Sequence, residues 1–187
     1  DGTSGVYIWG AQAEALSYPT SYIPTNGSSQ TRAAETCFGA GTSSTFNSAE
    51  GVLYAEISAL ADDGTSRTIS INNTASNRVF LQFRATSNQV LSGIVKDGVV
   101  QGSTMPFSIS QTSNIKLAVK YKLNDFAFWV NGVEVGTSTG NVFPNGTLND
   151  LSFDSGDGAE DFYGKCKTVA VYNEALTDAQ LQTLTTL

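Results

Sequence analysis

Hydrophobic and polar residues alternate along most of this chain with a period of two, the spacing of a strand with one buried face. The pattern is strictest over IKLAVKYKLNDFAFWVNGVEV, from Ile115 to Val135. Ile115, Leu117, Val119, Tyr121 and Leu123 fall on one face, and Lys116, Lys120 and Lys122 on the other. Asn124 and Asp125 are turn formers. The chain then returns with Phe126, Phe128 and Val130 on the apolar face and Ala127, Trp129 and Asn131 on the opposite one. Asn131-Gly132 is the strongest short signal for a tight hairpin turn, with Val133 and Val135 leading away from it.

Further strands follow the same rule. Glu50 to Leu60 sets Leu53, Ala55, Ile57 and Ala59 against Val52, Tyr54, Glu56 and Ser58. Arg67 to Asn73 reads as a strand. So does Asn77 to Ala85, with Val79, Leu81 and Phe83 opposite Phe80, Gln82 and Arg84. Val90 to Gly102 folds about Asp97-Gly98 as a hairpin. TRAAETCF (Thr31 to Phe38) is a first short strand of this series, and LNDLSFD (Leu148 to Asp154) and FYGKCKTVAVYN (Phe162 to Asn173) are the last two. A short helix closes the chain. Thr177 with Gln180 three residues later forms a capping box, and Leu176, Leu181 and Leu184 mark its apolar side. Upstream, GVYIWGAQ (Gly5 to Gln12) is a further strand. It leads into an extended connector, SYPTSYIPTNGSSQT, in which Tyr18, Tyr22 and Ile23 are expected to pack on a neighbouring surface.

About ten strands with turn signals every 8 to 12 residues, and one short helix, predict an all-β fold: a two-sheet antiparallel β-sandwich. There is no βα alternation and no repeat of 20 to 50 residues, which argues against a parallel sheet, solenoid or propeller. Residues 1–31 are expected to be an N-terminal strand and linker, and 32–187 the sandwich.

Composition narrows the function. The 187 residues are 40% hydrophobic but only 14% charged, enough for a real core. A net charge of −7 and a pI near 4.4 oppose nucleic-acid and anionic-membrane partners. No apolar run reaches the length of a membrane-spanning helix. There is no His, which removes Ser-His-Asp and Cys-His catalysis, His-ligated zinc and the commonest general base. The chain opens on Asp1 without a Met or a basic-plus-apolar leader, which fits a processed product or a piece of something longer.

Function is sought first on the face of the hairpin opposite the core. An aromatic plane stacks on the CH faces of a sugar, while amines and amides bond its hydroxyls or acid groups. Trp129 stands there with Lys116, Lys120, Lys122 and Asn131, and a curved sheet would bring Tyr54, Glu56 and Arg84 to the same face. The alternative is that Trp129 lies under a loop or at a module contact and the lysines merely solvate a strand. A second candidate is the loop DSGDGAED. Asp154, Asp157, Glu160 and Asp161 are hard oxygen ligands on a Gly-containing loop and suit Ca²⁺, although the spacing is not that of an EF-hand. The alternative is a solvated acidic loop.

Two stretches carry a resemblance. LSFDSGDGAEDFYGKCKTVAVYNEALTDAQLQTL (Leu151 to Leu184) resembles the closing segment of laminin-G-like and concanavalin-A-like jelly-roll domains, with Phe162-Tyr163-Gly164, a strand ending Val-Tyr-Asn and an Ala-Leu-Thr-Asp helix start. FAFWVNGVEVG (Phe126 to Gly136) resembles the strand-turn-strand before it. The likeness covers about residues 32 to 187 and implies a jelly roll, a fold that hosts lectins, carbohydrate-binding modules, lyases, glycosidases and adhesion domains. It also implies a rim calcium and neighbouring first and last strands. Cys37 and Cys166 would then be close enough for a disulfide, the alternative being two buried free thiols. The run from Gly5 to Gly27 is similar to segments that precede such jelly rolls in phage tail and other virion proteins.

Catalysis is not expected. Jelly-roll glycosidases resembling laminarinases carry Glu-x-Asp-x-x-Glu on one strand, whereas Glu56 stands alone here. Lyases resembling alginate lyases need a Gln-x-His that this chain lacks. The expected function is non-catalytic glycan binding or adhesion, outside the cell or on a virion surface. Glycans or a cell-surface polysaccharide are the expected ligands, and other fibre subunits, a homo-oligomer included, the expected protein partners. The rival reading is a structural assembly domain whose Tyr7, Trp9 and Tyr22 pack against neighbouring subunits.

Overall fold

The computed structural model describes residues 5–14, 21–31, 39–104 and 106–187. Among them the alternating stretches form eleven strands, all paired antiparallel in two sheets. The first sheet has the order β11-β1-β7-β8-β9, built from Gly164–Tyr172, Glu50–Ala59, Ile115–Lys122, Phe126–Val130 and Val133–Ser138. The second has the order β10-β2-β3-β4-β5, from Asp150–Ser152, Arg67–Thr74, Asn77–Phe83, Gln89–Lys96 and Val99–Ser103. The short β6, Phe107–Ser108, pairs with β4. The helix α1 spans Asp178–Thr185.

The core lies between the sheets. Leu53, Ala55 and Ile57 of β1, Leu117, Val119 and Tyr121 of β7, and Phe126, Phe128 and Val130 of β8 meet Ile69 and Ile71 of β2, Val79, Leu81 and Phe83 of β3, and Val90 and Ile94 of β4. Each large side chain so buried contributes about 1.5–3 kcal/mol relative to exposure. The Tyr121 hydroxyl at the core edge donates to the Asn47 carbonyl at 2.8 Å, which satisfies the polar end of a buried ring. Burial pushes its pKa well above the ordinary tyrosine value.

The two hairpin signals fold as read. Asp97-Gly98 has φ of 51° and 77°, and Asn131-Gly132 has 46° and 80°, the positive pair of a type I′ turn. Three readings are corrected. Leu123 is not a core residue: β7 stops at Lys122, and Leu123 sits 56% exposed in the turn before Asn124, whose φ is 57°. Gly5 to Gln12 is not a strand, since no ladder forms over residues 5–14. Arg84 lies just past β3, which ends at Phe83. The strand expected over Thr31 to Phe38 falls, from residue 32 on, outside the described residues, as does Tyr18.

The chain divides into two units, Asp1–Glu35 and Thr36–Leu187. Both sheets and α1 belong to the second. In the first, Gln12 accepts a hydrogen bond from the Ile23 N–H at 2.7 Å, and the Trp9 and Tyr22 rings lie 4.7 Å apart.

Candidate functional site

The outer face of the first sheet carries a second apolar cluster. Val52 and Tyr54 of β1, Ala118 of β7, and Ala127 and Trp129 of β8 lie side by side, because their registers place Tyr54 opposite Ala118 and Ala118 opposite Trp129. Helix α1 covers them. Leu181 is fully buried against the cluster, with Leu176 and Leu184 beside it. The helix is held at its start by the expected capping box: the Gln180 N–H donates to the Thr177 hydroxyl, and the Gln180 side chain accepts from the Thr177 N–H. At its far end the Thr185 hydroxyl accepts from the Gly132 N–H at 3.1 Å, and Lys116 donates to the Thr186 carbonyl at 2.6 Å.

This overturns the expected stacking platform. Trp129 is only 5% exposed and Tyr54 equally buried, so neither ring is open to a sugar. Among the described residues the Trp129 indole N–H has no hydrogen-bond partner. Arg84 follows β3 at the end of the other sheet, where its guanidinium donates to the Gln89 side chain at 2.8 Å. Asn131 is a structural turn residue whose side-chain oxygen accepts from the Lys116 N–H at 2.8 Å. Lys122 is exposed and pairs with Glu50 at 2.9 Å, and that bond raises its pKa. Glu56 is buried and accepts from Lys167 at 2.7 Å and Asn114 at 2.8 Å; the Lys167 bond, then the Asn114 bond, hold its carboxyl below the usual range.

Lys120 is the expected residue that the structure keeps at a candidate site. Its side chain is largely buried, and its amine reaches Asp125 at 2.7 Å and Asp178 at 3.5 Å. It lines an open groove of about 520 Å³ beside the start of α1. Asn124 and Asp125 from the β7–β8 turn, Glu134 and Thr137 from β9, and Asp178 from α1 line it as well. Pairing explains the convergence. Thr137 lies opposite Ala127 and Glu134 opposite Trp129, so both stand on the outer face of the sheet, across an irregularity in register between Phe128 and Trp129. The groove offers hydroxyl, amide, carboxylate and amine groups in one place, the set that bonds a polyhydroxylated ligand. Sequence reading took Asn124 and Asp125 only as turn formers. The available signal was the polar outer face of Val133 to Ser138, which continues past the Trp.

The acidic loop is drawn onto the second sheet. Glu160 accepts from the Thr68 hydroxyl at 2.9 Å and the Gln82 amide at 2.7 Å. The Asp154 carboxylate accepts from the Gly156 N–H at 2.5 Å, and Asp157 from the Ser155 hydroxyl and the Ala159 N–H. The bond from Ser155 lowers the Asp157 pKa, against the opposing effect of its partial desolvation. Arg78 donates to the Ser155 carbonyl at 2.7 Å and lies over the Phe80 ring. Asp161 is half-buried at the end of the loop. Asp154, Asp157 and Glu160 thus each bond to different partners rather than converge. Among the described residues no group of three or more His, Cys, Asp or Glu side chains is placed to hold a metal ion. Cys166 is an exposed free thiol on β11, and Cys37 lies outside the described residues.

Residues 40–182 match the family profile described as the concanavalin A-like lectin/glucanases superfamily. Among curated proteins none matches the chain in sequence. Solved structures share the fold. The CBM40 module of the Ruminococcus gnavus IT-sialidase superposes with a TM-score of 0.62 at 15% identity, over 82% of this chain and 98% of that one. The same module bound to alpha2,3 sialyllactose gives 0.60 at 15% identity, over 81% and 97%. The K499G mutant of the NanB sialidase from Streptococcus pneumoniae gives 0.56 at 18%, over 75% of this chain but 24% of that larger one.

Proposed function

This chain belongs to the concanavalin A-like lectin/glucanase superfamily, and on that premise we propose that it is a non-catalytic carbohydrate-binding or adhesive module. Its setting is a surface, that of a virion fibre or of a secreted protein, with glycans or a cell-surface polysaccharide as ligand. The observation that carries the reading is the polar groove built around Lys120, with Asn124, Asp125, Glu134, Thr137 and Asp178. Carboxylates accept paired hydrogen bonds from sugar hydroxyls, and Lys120, already fixed by two of them, is a donor that needs little further ordering. Three carboxylates against one amine favour neutral or cationic glycans over acidic ones. The likeness to a carbohydrate-binding module of the same size supports the class of function.

A glycan array of the purified chain tests this, run with calcium and with chelator, beside Thr137→Val and Asp125→Asn. Binding is expected for the native chain, with each variant weakening it by at least about tenfold. Loss of binding in chelator would bring Ca²⁺ and the acidic loop into the site. No binding by a folded native chain would overturn the module reading; full binding by both variants would remove the site from this groove.

A further inference from the structure

The dipeptide Asn-Gly occurs three times, at Asn26-Gly27, Asn131-Gly132 and Asn145-Gly146. The structure treats the three differently. At Asn131-Gly132 both the side chain and the following amide are held. The Asn131 side-chain oxygen accepts from the Lys116 N–H at 2.8 Å, and the Gly132 N–H donates to the Thr185 hydroxyl at 3.1 Å. Asn145 and Gly146 instead lie exposed in the connection between β9 and β10. Their turn is closed by Thr147, whose N–H and hydroxyl donate to the Pro144 carbonyl at 3.2 and 2.7 Å. Among the described residues, neither the Asn145 side chain nor the Gly146 N–H has a hydrogen-bond partner. The space beside Gly146 is open, since a Cβ built there would come no nearer to another residue than 3.8 Å, at Ser43. Asn26-Gly27 is exposed in the same way, in a turn closed by the Ser28 N–H on the Thr25 carbonyl at 2.9 Å.

We propose that Asn145-Gly146 is a site of spontaneous backbone modification, where the folded chain converts its own asparagine to aspartate and isoaspartate, and that the fold protects Asn131-Gly132 from the same reaction. The Gly146 nitrogen loses its proton to solvent and bonds to Cγ of Asn145. The Cγ–Nδ2 bond breaks, and ammonia leaves with a proton taken back from solvent. The five-membered imide so formed then takes up one water. Addition at Cγ restores an ordinary main chain with aspartate at the position. Addition at the main-chain carbonyl carbon leaves isoaspartate, with the chain running through Cβ and Cγ. Nothing is oxidised or reduced. The nitrogen must reach Cγ along the line of attack, and a misplacement of about 1 Å can slow such a step roughly a hundredfold. Glycine favours the approach because it has no Cβ and its backbone turns freely. At Asn131 that turning would break the bonds to Lys116 and Thr185, the second of which ties the hairpin to α1. At Asn145 it breaks none, and Asn26 is open in the same way. The product changes the chain: isoaspartate lengthens the main chain by one carbon between Phe143 and Leu148, which are both in the core. Either product adds a negative charge to a chain already at −7.

The test is incubation of the whole folded chain at neutral pH and body temperature, followed by peptide mapping in a mass spectrometer with fragmentation that separates aspartate from isoaspartate. Peptides holding Asn145 and Asn26 should gain the mass of an amide-to-acid exchange, with isoaspartate among the products, while Asn131 reacts at least about tenfold more slowly. The same incubation in guanidinium chloride should bring Asn131 up to the rate of the other two, since its bonds to Lys116 and Thr185 are then gone. An Asn145 that stays an amide in the folded chain, an Asn131 that keeps pace with it there, or an Asn131 no faster after unfolding would each overturn the proposal, whatever the glycan array shows.

Discussion

Replacing Leu181 by Ala asks how much of the molecule depends on α1. The side chain is fully buried between the helix and the cluster around Trp129. Losing three carbons at about 0.8 kcal/mol each removes about 2.4 kcal/mol of transfer free energy. A residual cavity brings the total to about 3 kcal/mol, within the range for buried leucines. The helix has eight residues, too few to persist without tertiary contacts. The loss therefore falls on the docking of α1 rather than on the sandwich, whose core lies on the other side of β1, β7 and β8. Trp129 reports it directly. In a Trp9→Phe background it is the sole Trp, and in Leu181→Ala its emission should shift to longer wavelength in mild urea, before the β signal is lost. A docking transition separate from global unfolding is the expected result. A change below about 1 kcal/mol, with Trp129 emission unmoved until the sheets melt, would show that α1 is not what keeps the indole from water.

Three further outcomes are expected. Thr177→Ala removes the reciprocal cap of α1 and should cost about 1 kcal/mol in urea unfolding, with the same early shift of Trp129 emission. Glu56 has a folded pKa held down by Lys167 and Asn114, so its contribution to stability is present above its unfolded value of about 4.3 and is lost as pH falls through the folded one; Glu56→Gln should flatten the acid limb of a thermal-melt pH profile, and an unchanged limb would refute the linkage. Gly51→Ala puts a methyl 2.5 Å from the Tyr172 carbonyl oxygen and 2.6 Å from the Tyr121 hydroxyl, which should destabilise by about 1–3 kcal/mol or more and lower the melting temperature clearly.

The fold was legible because apolar residues recur at every second position along the strands, and the face that carries them is the one between the sheets. Leu53, Ala55 and Ile57 alternate with Tyr54 and Glu56, and the inner set is the core. The turns were legible because Asn131-Gly132 and Asp97-Gly98 are among the few pairs that accept two positive φ values. The site was less so. Period two tells which face a residue takes, but not what covers that face. Trp129 was placed correctly opposite the core, yet the leucines that bury it lie some fifty residues later, and their apolar side was read without knowing its target. Arg84 was assigned to the wrong sheet for a related reason: an outward position on a strand does not say which sheet the strand joins. The groove joins a turn, a strand and a helix start, none of which carries a local signature of binding. Gly5 to Gln12 reads as a strand by its side chains and forms none, because a strand needs a partner as well as a propensity.

The order of the chain gives the Trp129 cluster a particular history. A ribosome delivers Tyr54, Ala118 and Trp129 well before it delivers Leu181. Both sheets can close while an apolar patch on the outside of one of them still lies bare. For that interval the nascent sandwich is native within and adhesive without, and a chaperone that recognises exposed aromatics has a defined place to hold it. Any product cut short before Leu176 would keep that patch for its whole lifetime. Docking of α1 is thus the step that turns this face from adhesive to closed.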